Sequence, residues 1–494
     1  MIFDCRLTWE PHIRDLKATC NKRLDIFRAL VHTDWGADRT VLLRLYTALI
    51  QPKLDYGCEI YSSATPARLR RLDAIHHAGV RLSTGAFRST PIPSLLSDAK
   101  VAPLDLHRES LIRKCAFRLR CLPNSLSGEC SRSTHLQQTF DIHPSLPRPF
   151  GIRATALVAD LHLPTTSVAH IKTPKCPPWT AAPVSVCQFL GGNKADFLPN
   201  ALCALFLAHT QVHEGSIHIY TDGSKSEEGV GYSVAFPEFT RSGTLPITSS
   251  IFTAELKALR LALEEIYVFN NDFNTFTIFT DSLSSQQALS DFNNNHPIVQ
   301  DIFEWLVLLG HRGRRITFCW VPAHVGIPGN ERADADTKVA ASRGLAAACR
   351  LPYRDFLPCI KAATYTKWQE RWQALDRNKM RQIALKVCPW QYSPMPRRWE
   401  TAVVRLRTGH TRLTHGYLMS GAPLPYCLDC IVPLTVEHLL TECPSLRDFR
   451  DRHLAACREP DGSYSLSKIL GQDSCSYGGC TYNFVLASGI LPLL

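Results

Sequence analysis

The sequence predicts an α/β protein whose central part is a mixed five-stranded β-sheet flanked by helices. From residue 216 onward, three short apolar segments bounded by turn residues are followed by alternating helical and strand patterns. That order is typical of a mixed sheet with helices packed on it. Residues 1–125 instead repeat apolar residues every three or four positions, which indicates an α-helical N-terminal region. A small cysteine- and histidine-containing C-terminal segment completes the predicted architecture.

Length and composition exclude several classes of protein. The 494 residues suggest about three domains, and 45% apolar residues rule out disorder throughout. The longest apolar runs, near residues 201–208 and 484–494, are far shorter than the roughly 20 residues of a membrane span, so we expect none. No secretory signal is visible, and most of the 19 cysteines stand singly in apolar contexts. We therefore expect an intracellular protein, cytoplasmic or nuclear and not secreted.

Charge is distributed unevenly along the chain. Residues 1–150 carry 22 basic and 14 acidic side chains, residues 216–345 carry 10 and 15, and residues 346–494 carry 19 and 12. Basic flanks suit a polyanionic partner, and an acidic centre suits metal ions. An ordinary solvated surface is the alternative interpretation.

The N-terminal region reads as three helices, at residues 9–30, 41–50 and 67–82. Arg68, Arg70 and Arg71 lie on the polar side of the third helix, and no glycine-rich loop or catalytic cluster accompanies them. This pattern indicates that the N-terminal region packs and contacts a polyanion, and that it does not carry a catalytic site. Eight prolines between residues 144 and 183 then predict a linker, which we place at residues 126–215, because proline disrupts both helix interiors and central strands.

The central block, residues 216–345, supplies the predicted sheet and its helices. The predicted strands are 217–222, 230–236, 245–251, 276–280 and 316–321. The predicted helices are 253–268, a short one ending at 289, 298–309, and one that begins at Asn330. Residues 346–426 read as a basic helical connector, and residues 451–494 as a tail with little pattern.

Four carboxylates occupy positions that commonly form the active or binding sites of mixed-sheet proteins. Asp222 and Asp281 each end an apolar strand, and Glu255 and Asp334 each lie near the start of a helix. Clustered acids repel one another unless a cation neutralises them, and Mg²⁺ prefers such oxygen ligands. Two bound metal ions can clamp both reacting oxygens of a phosphodiester. Each acid alone has a structural alternative, as a turn residue, a helix cap or a partner of the helix dipole.

Four segments together resemble type 1 ribonuclease H. They are residues 220–224 (YTDGS), 253–256 (TAEL), 279–282 (FTDS) and 320–334 (WVPAHVGIPGNERAD). The resemblance covers about residues 216–345 and implies a ribonuclease H-like sheet. It also implies cleavage of the RNA strand of RNA–DNA hybrids with two Mg²⁺ ions per site.

The resemblance further implies a role for each matching residue. Asp222 would bridge both metal ions, Asp334 would hold the ion that activates water, and Glu255 and Asp281 would hold the ion that faces the leaving oxygen. His324 would shuttle protons or help the product leave. Contacts to the hybrid are expected from three residues: Gly223, Ser224 and Asn330. The basic helix-loop insertion found in some family members is not evident between residues 289 and 316.

The segment 427–450 holds a cluster with metal-ligand spacing. Its members are Cys427, Cys430, His438 and Cys443. Three thiolates and one imidazole suit tetrahedral Zn²⁺ and leave no open position, so a structural site is expected. The cluster resembles the knuckle that follows ribonuclease H in many non-LTR retrotransposon polyproteins. Buried cysteines beside a surface histidine are the alternative. The preceding Arg405, Arg407, His410 and Arg412 are predicted to face nucleic acid or solvent.

Residues 3–13 and 51–57 resemble the region that follows the palm of a non-LTR reverse transcriptase. They would belong to its thumb and its connection to ribonuclease H. The palm requires paired aspartates, and the chain contains no Asp-Asp dipeptide. The resemblance therefore implies the C-terminal part of a retrotransposon polyprotein, without polymerase activity. A full-length retrotransposon reverse transcriptase is an implied partner.

The sequence predicts an endoribonuclease that acts on RNA–DNA hybrids. Two alternatives remain open at this point: a nucleic-acid-binding remnant without turnover, and a helical and zinc-binding scaffold that assembles with a polymerase-bearing chain.

Overall fold

The structure is a computed structural model, and the chain divides into two compact units. The described residues are 1–32, 35–122, 137–143, 146–164, 167–171, 184–188, 197–212, 215–269, 273–343, 349–387, 390, 395–471 and 479–494. The first unit comprises Met1–Arg113, His135–Arg153 and Lys361–Leu494. The second comprises Lys114–Thr134 and Ala154–Ile360. The predicted division into six segments stays a prediction.

Helices dominate the described parts of the chain, and they are numbered here in chain order. They are α1 (Glu10–Leu30), α2 (Arg39–Leu49), α3 (Gln51–Asp55), α4 (Cys58–Tyr61), α5 (Pro66–Thr84), α6 (Ile92–Ala99), α7 (Leu104–Arg120), α8 (Gln137–Ile142), α9 (Phe150–Ala159), α10 (Pro199–Val212), α11 (Ile251–Val268), α12 (Leu283–Ser290), α13 (Pro297–His311), α14 (Pro328–Ser342), α15 (Leu357–Gln373), α16 (Arg397–Thr408), α17 (Arg412–His415), α18 (Tyr417–Ser420), α19 (Arg447–His453), α20 (Leu466–Leu470) and α21 (Cys480–Ala487). Among these helices, none combines the length and the apolar character that crossing a bilayer requires.

A mixed β-sheet forms the centre of the second unit, as predicted. Its strands are β1 (Ser185–Gln188), β2 (Ile217–Lys225), β3 (Val230–Ala235), β4 (Thr240–Leu245), β5 (Thr275–Thr280) and β6 (Arg315–Trp320). Their order is β1-β6-β5-β2-β3-β4. The β2–β3 and β3–β4 pairs are antiparallel, and the remaining pairs are parallel. The sheet therefore has one strand more than the five predicted.

The additional strand, β1, lies in the stretch that proline content marks as a linker. Within the described residues of 126–215, the structure holds α8, α9, β1 and α10. Val186 of β1 pairs with Phe318 of β6, which is distant in sequence. A short strand that depends on such a remote partner leaves little local signal. The parts of the predicted linker at 126–136, 144–145, 165–166, 172–183, 189–196 and 213–214 lie outside the described residues.

The third predicted strand, at residues 245–251, is wrong in its position. Strand β4 ends at Leu245, and helix α11 begins at Ile251. The hydroxyl of Ser250 accepts a hydrogen bond from the Thr253 amide at 3.1 Å, so the serine caps the helix where the strand was expected to continue. Because α11 and α14 begin earlier than predicted, Glu255 and Asp334 lie in the second turns of their helices.

Helix α11 packs its apolar face against the sheet and forms most of the core of the second unit. This face is fully buried, at Leu256, Leu259, Leu263 and Ile266. These side chains share a cluster with residues from the central strands, among them Ile219, Phe276, Ile278 and Phe318. The packing fixes α11, and therefore Glu255, against the strands that carry the other acids.

In the first unit, N-terminal and C-terminal segments share one hydrophobic core. Residues of α1, α2 and α5 pack with Trp368 and Trp372 of α15 and with Trp390. Arg407 is fully buried, and its Nε donates to the Leu470 carbonyl at 3.0 Å. Arg405 donates to the carbonyls of Gly85 and Leu494. The expectation that Arg407 faces nucleic acid or solvent is therefore wrong, because its guanidinium group is buried against a backbone carbonyl, whereas Arg405 is only partly buried.

A buried ion pair joins α2 to the helix α6. The Arg39 guanidinium lies 2.6 Å from the Asp98 carboxylate, and both side chains are almost completely excluded from solvent. The backbone amide of Arg39 donates to the Glu400 carboxylate at 2.9 Å. Removing one member of such a pair leaves the other charge buried without its partner.

We expect Asp98→Ala to lower the free energy of unfolding of the first unit by about 3–5 kcal/mol. Urea denaturation followed by circular dichroism measures this change. Glu459→Ala is the matched control, because Glu459 pairs with Lys468 at a similar distance of 2.8 Å in a solvent-exposed position. An exposed pair contributes only about 0–1 kcal/mol, so equal effects of the two substitutions would contradict the expectation.

Candidate active site

Three carboxylates meet at one end of the central strands. Parallel pairing of β2 with β5 places Thr221 opposite Thr280, so the next residues, Asp222 within β2 and Asp281 just after β5, follow side by side. Helix α11 brings Glu255 to the same place. Ligand oxygens of the three acids all lie within 4.8 Å of one another. The structure thus brings together three of the four carboxylates that the sequence singled out.

The close approach of α11 depends on Gly223. A Cβ atom at this position would lie 2.5 Å from the Glu255 amide nitrogen and 2.9 Å from the Ala254 carbonyl carbon. Any larger residue would force the helix away from β2. Gly223 therefore has a packing role that brings Glu255 to Asp222, and a contact with nucleic acid remains a prediction for it. The following residue, Ser224, is partly buried at the end of β2.

Burial and mutual repulsion raise the pKa values of all three acids. Desolvation, reinforced by the charge of Asp281, raises the pKa of Asp222 to about 6. Desolvation and the charges of Asp222 and Asp281 raise the pKa of Glu255 well above its ordinary value. Desolvation also raises the pKa of Asp281, opposed by a hydrogen bond from Asn330. Such shifts arise where carboxylates share a site without a compensating cation.

The triad suits a hard divalent cation. Asp222 Oδ2 and Glu255 Oε2 are buried and have no hydrogen-bond partner among the described residues. Unsatisfied buried carboxylate oxygens are costly unless a cation binds them. An all-oxygen set of ligands is what Mg²⁺ prefers. The acidic triad therefore fits the metal site of a ribonuclease H.

The fourth acid, Asp334, lies in a second group with His324 and Glu331, whose ligand atoms are within 4.8 Å of one another. His324 Nδ1 is 4.0 Å from Asp334 Oδ2, and the imidazole is 66% exposed. Lys338, one turn further along α14, places its ammonium 2.6 Å from the same oxygen. The charge of Asp334 also raises the pKa values of Asp222 and Asp281, so the two groups interact electrostatically.

Asn330 lies against a site acid. Its Nδ2 donates to Asp281 Oδ2 at 3.5 Å, and the side chain is buried. Trp320 Nε1 donates to the Asp281 carbonyl at 3.1 Å. Asn330 therefore helps to orient Asp281, and direct contact with a hybrid stays a prediction.

Asp355 supports the site from beyond the predicted block, and the sequence analysis missed it. Its Oδ1 accepts hydrogen bonds from Ser250 Oγ at 2.7 Å and from Thr253 Oγ1 at 2.9 Å. Both donors lie at the start of α11, five and two residues before Glu255. The Asp355 carboxylate is buried, so these hydrogen bonds hold the N-terminal end of α11 firmly in place. An isolated aspartate in the predicted connector gave no signal of this role.

The C-terminal cysteines and histidine also come together. The ligand atoms of four residues lie within 4.8 Å of one another: Cys427, Cys430, His438 and Cys443. His438 Nδ1 is 3.3 Å from Glu442 Oε2, while its buried Nε2 has no hydrogen-bond partner among the described residues. The neighbouring His438 ring and nearby backbone amides lower the pKa of Cys427 to about 6, which favours the thiolate. This cluster has the ligands to bind zinc.

Comparison with known proteins identifies the class of the sheet-containing region. The RNase H family model matches residues 214–342. The chain therefore contains an RNase H domain, built around the acidic triad.

The similarity to individual relatives is distant. The Pol polyprotein of equine infectious anemia virus (isolate 1369) is 26% identical over 196 residues, covering 36% of this chain and 16% of the viral protein. A probable RNA-directed DNA polymerase from transposon X-element of Drosophila melanogaster is 26% identical over 102 residues, covering 21% of this chain and 11% of the relative. The chain thus matches only a small part of the length of these relatives.

The shifted pKa of Asp222 predicts a pH-dependent instability of the metal-free protein. A carboxyl whose folded-state pKa is raised from 3.8 to about 6 destabilises the fold as pH rises through that interval, fully above about pH 6. We expect Asp222→Asn to raise the free energy of unfolding by about 1–3 kcal/mol at pH 7.5 in EDTA, with no gain near pH 4.

Thermal unfolding across this pH range measures the difference between variant and wild type. Glu227→Gln removes one acidic charge from an exposed position and serves as the control. A stability of Asp222→Asn that equals or falls below that of the wild type at pH 7.5 would contradict the proposed repulsion.

Proposed function

We propose that this protein is an endoribonuclease that hydrolyses the RNA strand of RNA–DNA hybrids. The observation that carries the proposal is the buried triad of Asp222, Glu255 and Asp281, in which two carboxylate oxygens have no partner among the described residues. The match of the surrounding residues to the RNase H family supports it. The products would carry 5′-phosphate and 3′-hydroxyl ends.

Four carboxylates of the RNase H domain would hold two Mg²⁺ ions, with Asp222 as the shared ligand. When bound, Mg²⁺ supplies Lewis acidity at the scissile phosphodiester. Asp334 lies beside His324, so this pair would orient a water molecule and accept its proton. The 66% exposed imidazole of His324 stands where it can exchange that proton with solvent and help the product leave.

Hybrid recognition would combine contacts near the triad with basic residues elsewhere in the chain. Gly223, Ser224 and Asn330 adjoin the acids and are the proposed contacts close to the cleaved strand. The 2′-hydroxyl groups of the RNA strand would distinguish it from DNA. The chain has excess positive charge on both sides of the acidic block, which suits the phosphate backbone.

We further propose that the chain acts with a polymerase-bearing retrotransposon protein. The similarity to a probable RNA-directed DNA polymerase from transposon X-element supports this association. The zinc-binding cluster at residues 427–443 would then be a structural element of the same assembly.

Cleavage of a hybrid labelled on its RNA strand, in Mg²⁺, tests the activity. We expect the wild type to cut the RNA strand and to leave single-stranded RNA and duplex DNA intact. Asp222→Asn should reduce the rate by at least about a thousandfold, since it removes the shared metal ligand. Circular dichroism checks that this variant is folded.

Two outcomes would count against the proposal. An unchanged rate in Asp222→Asn would refute the assignment of the site. A wild type that binds the hybrid but does not cleave it would favour the binding remnant instead. Asp291→Asn, which alters an acid on the same unit outside both acidic groups, controls for the loss of a negative charge.

The ion pair between Lys338 and Asp334 predicts a specific effect on the metal requirement. The ammonium lies 2.6 Å from the carboxylate and therefore competes with a divalent cation for it. We expect Lys338→Gln to lower the Mg²⁺ concentration for half-maximal cleavage by about two- to fivefold, since the lysine end of the pair is exposed and its attraction to the carboxylate is weak.

A magnesium titration of the cleavage rate measures this change. Arg343→Gln removes a positive charge from an exposed position just beyond α14 and is the matched control. An unchanged or increased magnesium requirement in Lys338→Gln would show that the ammonium does not compete with the metal.

A further inference from the structure

A second cluster of sulfur and nitrogen ligands lies in the sheet-containing unit, and none of its residues belongs to the proposed active site or to the C-terminal cluster. Cys187 of β1 and Cys319 of β6 are direct partners in the parallel ladder. His209 of α10 joins them, with its Nε2 3.4 Å from Cys319 Sγ. The ligand atoms of the three residues all lie within 4.8 Å of one another.

The cluster is held in a firmly packed environment. Cys319 is fully buried, and Cys187 and His209 are partly buried. Gln286 Nε2 donates to the Cys187 carbonyl at 2.8 Å and to the Phe318 carbonyl at 3.4 Å, which fixes β1 against β6. The three potential ligands therefore belong to elements whose positions are set by other contacts.

Helix α10 connects this cluster to the loop that carries His324. Leu202 and Phe206 of α10 share a buried cluster with Val325 and Ile327 of that loop. Cys203 Sγ is 3.6 Å from the Gly326 carbonyl oxygen. Both β1 and α10 lie before residue 214, where the match to the RNase H family begins. A contact that holds α10 against the sheet therefore also supports the loop that carries His324.

The chemistry of the three side chains selects a class of metal ion. Two thiolates and one imidazole suit Zn²⁺, whereas Mg²⁺ requires oxygen ligands. Neighbouring ligands on paired strands and on a helix packed over them can define three corners of a tetrahedron. A water molecule would take the fourth position, as in zinc sites with three protein ligands.

We propose that Cys187, His209 and Cys319 form a Zn²⁺ site that fastens β1 and α10 to the sheet beneath the His324 loop. It is separate from the cluster at residues 427–443 and does not depend on hybrid cleavage. The ion crosslinks β6 to β1 and α10, which lie more than about 100 residues earlier in the sequence, and its removal loosens α10 first.

Zinc content measured by mass spectrometry on the full-length protein, after gel filtration, tests the site. The wild type should hold about two zinc ions per chain, and Cys187→Ser about one. The double variant Cys427→Ser/Cys443→Ser removes the C-terminal cluster and should also hold about one, which the further change Cys187→Ser removes. Cys203→Ser alters a cysteine of α10 outside the cluster and should keep the wild-type content.

A second measurement guards against misfolded variants. Cobalt substituted for zinc reports thiolate ligation by its charge-transfer absorption, and we expect this absorption to fall in Cys187→Ser while the far-ultraviolet circular dichroism stays unchanged. If the double variant fails to fold, the comparison of wild type with Cys187→Ser decides alone.

Two results would overturn the proposal. One is a zinc content and cobalt spectrum that Cys187→Ser leaves unchanged. The other is an intact mass that is two hydrogens lower together with a Cys187–Cys319 crosslinked peptide, which would show a disulfide in place of the metal.

Discussion

The structure of the RNase H domain depends on holding three carboxylates together in a place that solvent barely reaches. Oxygens of Asp222, Glu255 and Asp281 lie within 4.8 Å of one another, and burial raises the pKa of each. Desolvation and repulsion both oppose this arrangement, so other contacts must stabilise it. The ladder between β2 and β5 fixes the two aspartates, and the missing side chain at Gly223 admits the helix that carries the glutamate. A divalent cation bound to the triad would remove the remaining repulsion, so the repulsion that opposes this arrangement would also favour metal binding.

Much of this support comes from outside the residues that match the family. Asp355 fixes the start of α11 through Ser250 and Thr253, although it lies beyond residue 342. Before residue 214, α10 packs beneath the His324 loop. A fragment limited to residues 214–342 would lack both contacts. The RNase H domain of this chain is therefore stabilised by flanking segments that its sequence motifs do not reveal.

The sequence predicts the features that depend on residues close together along the chain, and it misses those that depend on remote contacts. The apolar strands before Asp222 and Asp281 are local patterns and the structure confirms both, although β2 continues through Asp222 to Lys225 instead of ending there. The apolar face of α11 is likewise a local pattern, and it is buried. The pairing of β1 with β6 joins residues 130 or more positions apart, so no local pattern specifies it. The boundary between β4 and α11 depended on the cap at Ser250, which outweighs the apolar residues around it. The prediction for Arg407 was wrong for a similar reason, because its guanidinium group binds a carbonyl that only folding brings close.

Burial of arginine side chains limits what the basic flanks can contribute to binding nucleic acid. Charge counted along the sequence assumes that each basic side chain faces solvent, where it can displace counterions from a phosphate backbone. Several arginines of the first unit are instead nearly inaccessible: Arg39, Arg113, Arg397 and Arg407. The Arg39 guanidinium binds the buried Asp98 carboxylate, and those of Arg397 and Arg407 donate to backbone carbonyls. They stabilise the fold, and they cannot also bind a polyanion. The salt dependence of the proposed hybrid binding should therefore reflect fewer phosphate contacts than the net charge of the chain suggests, because only the exposed basic residues would contribute to it.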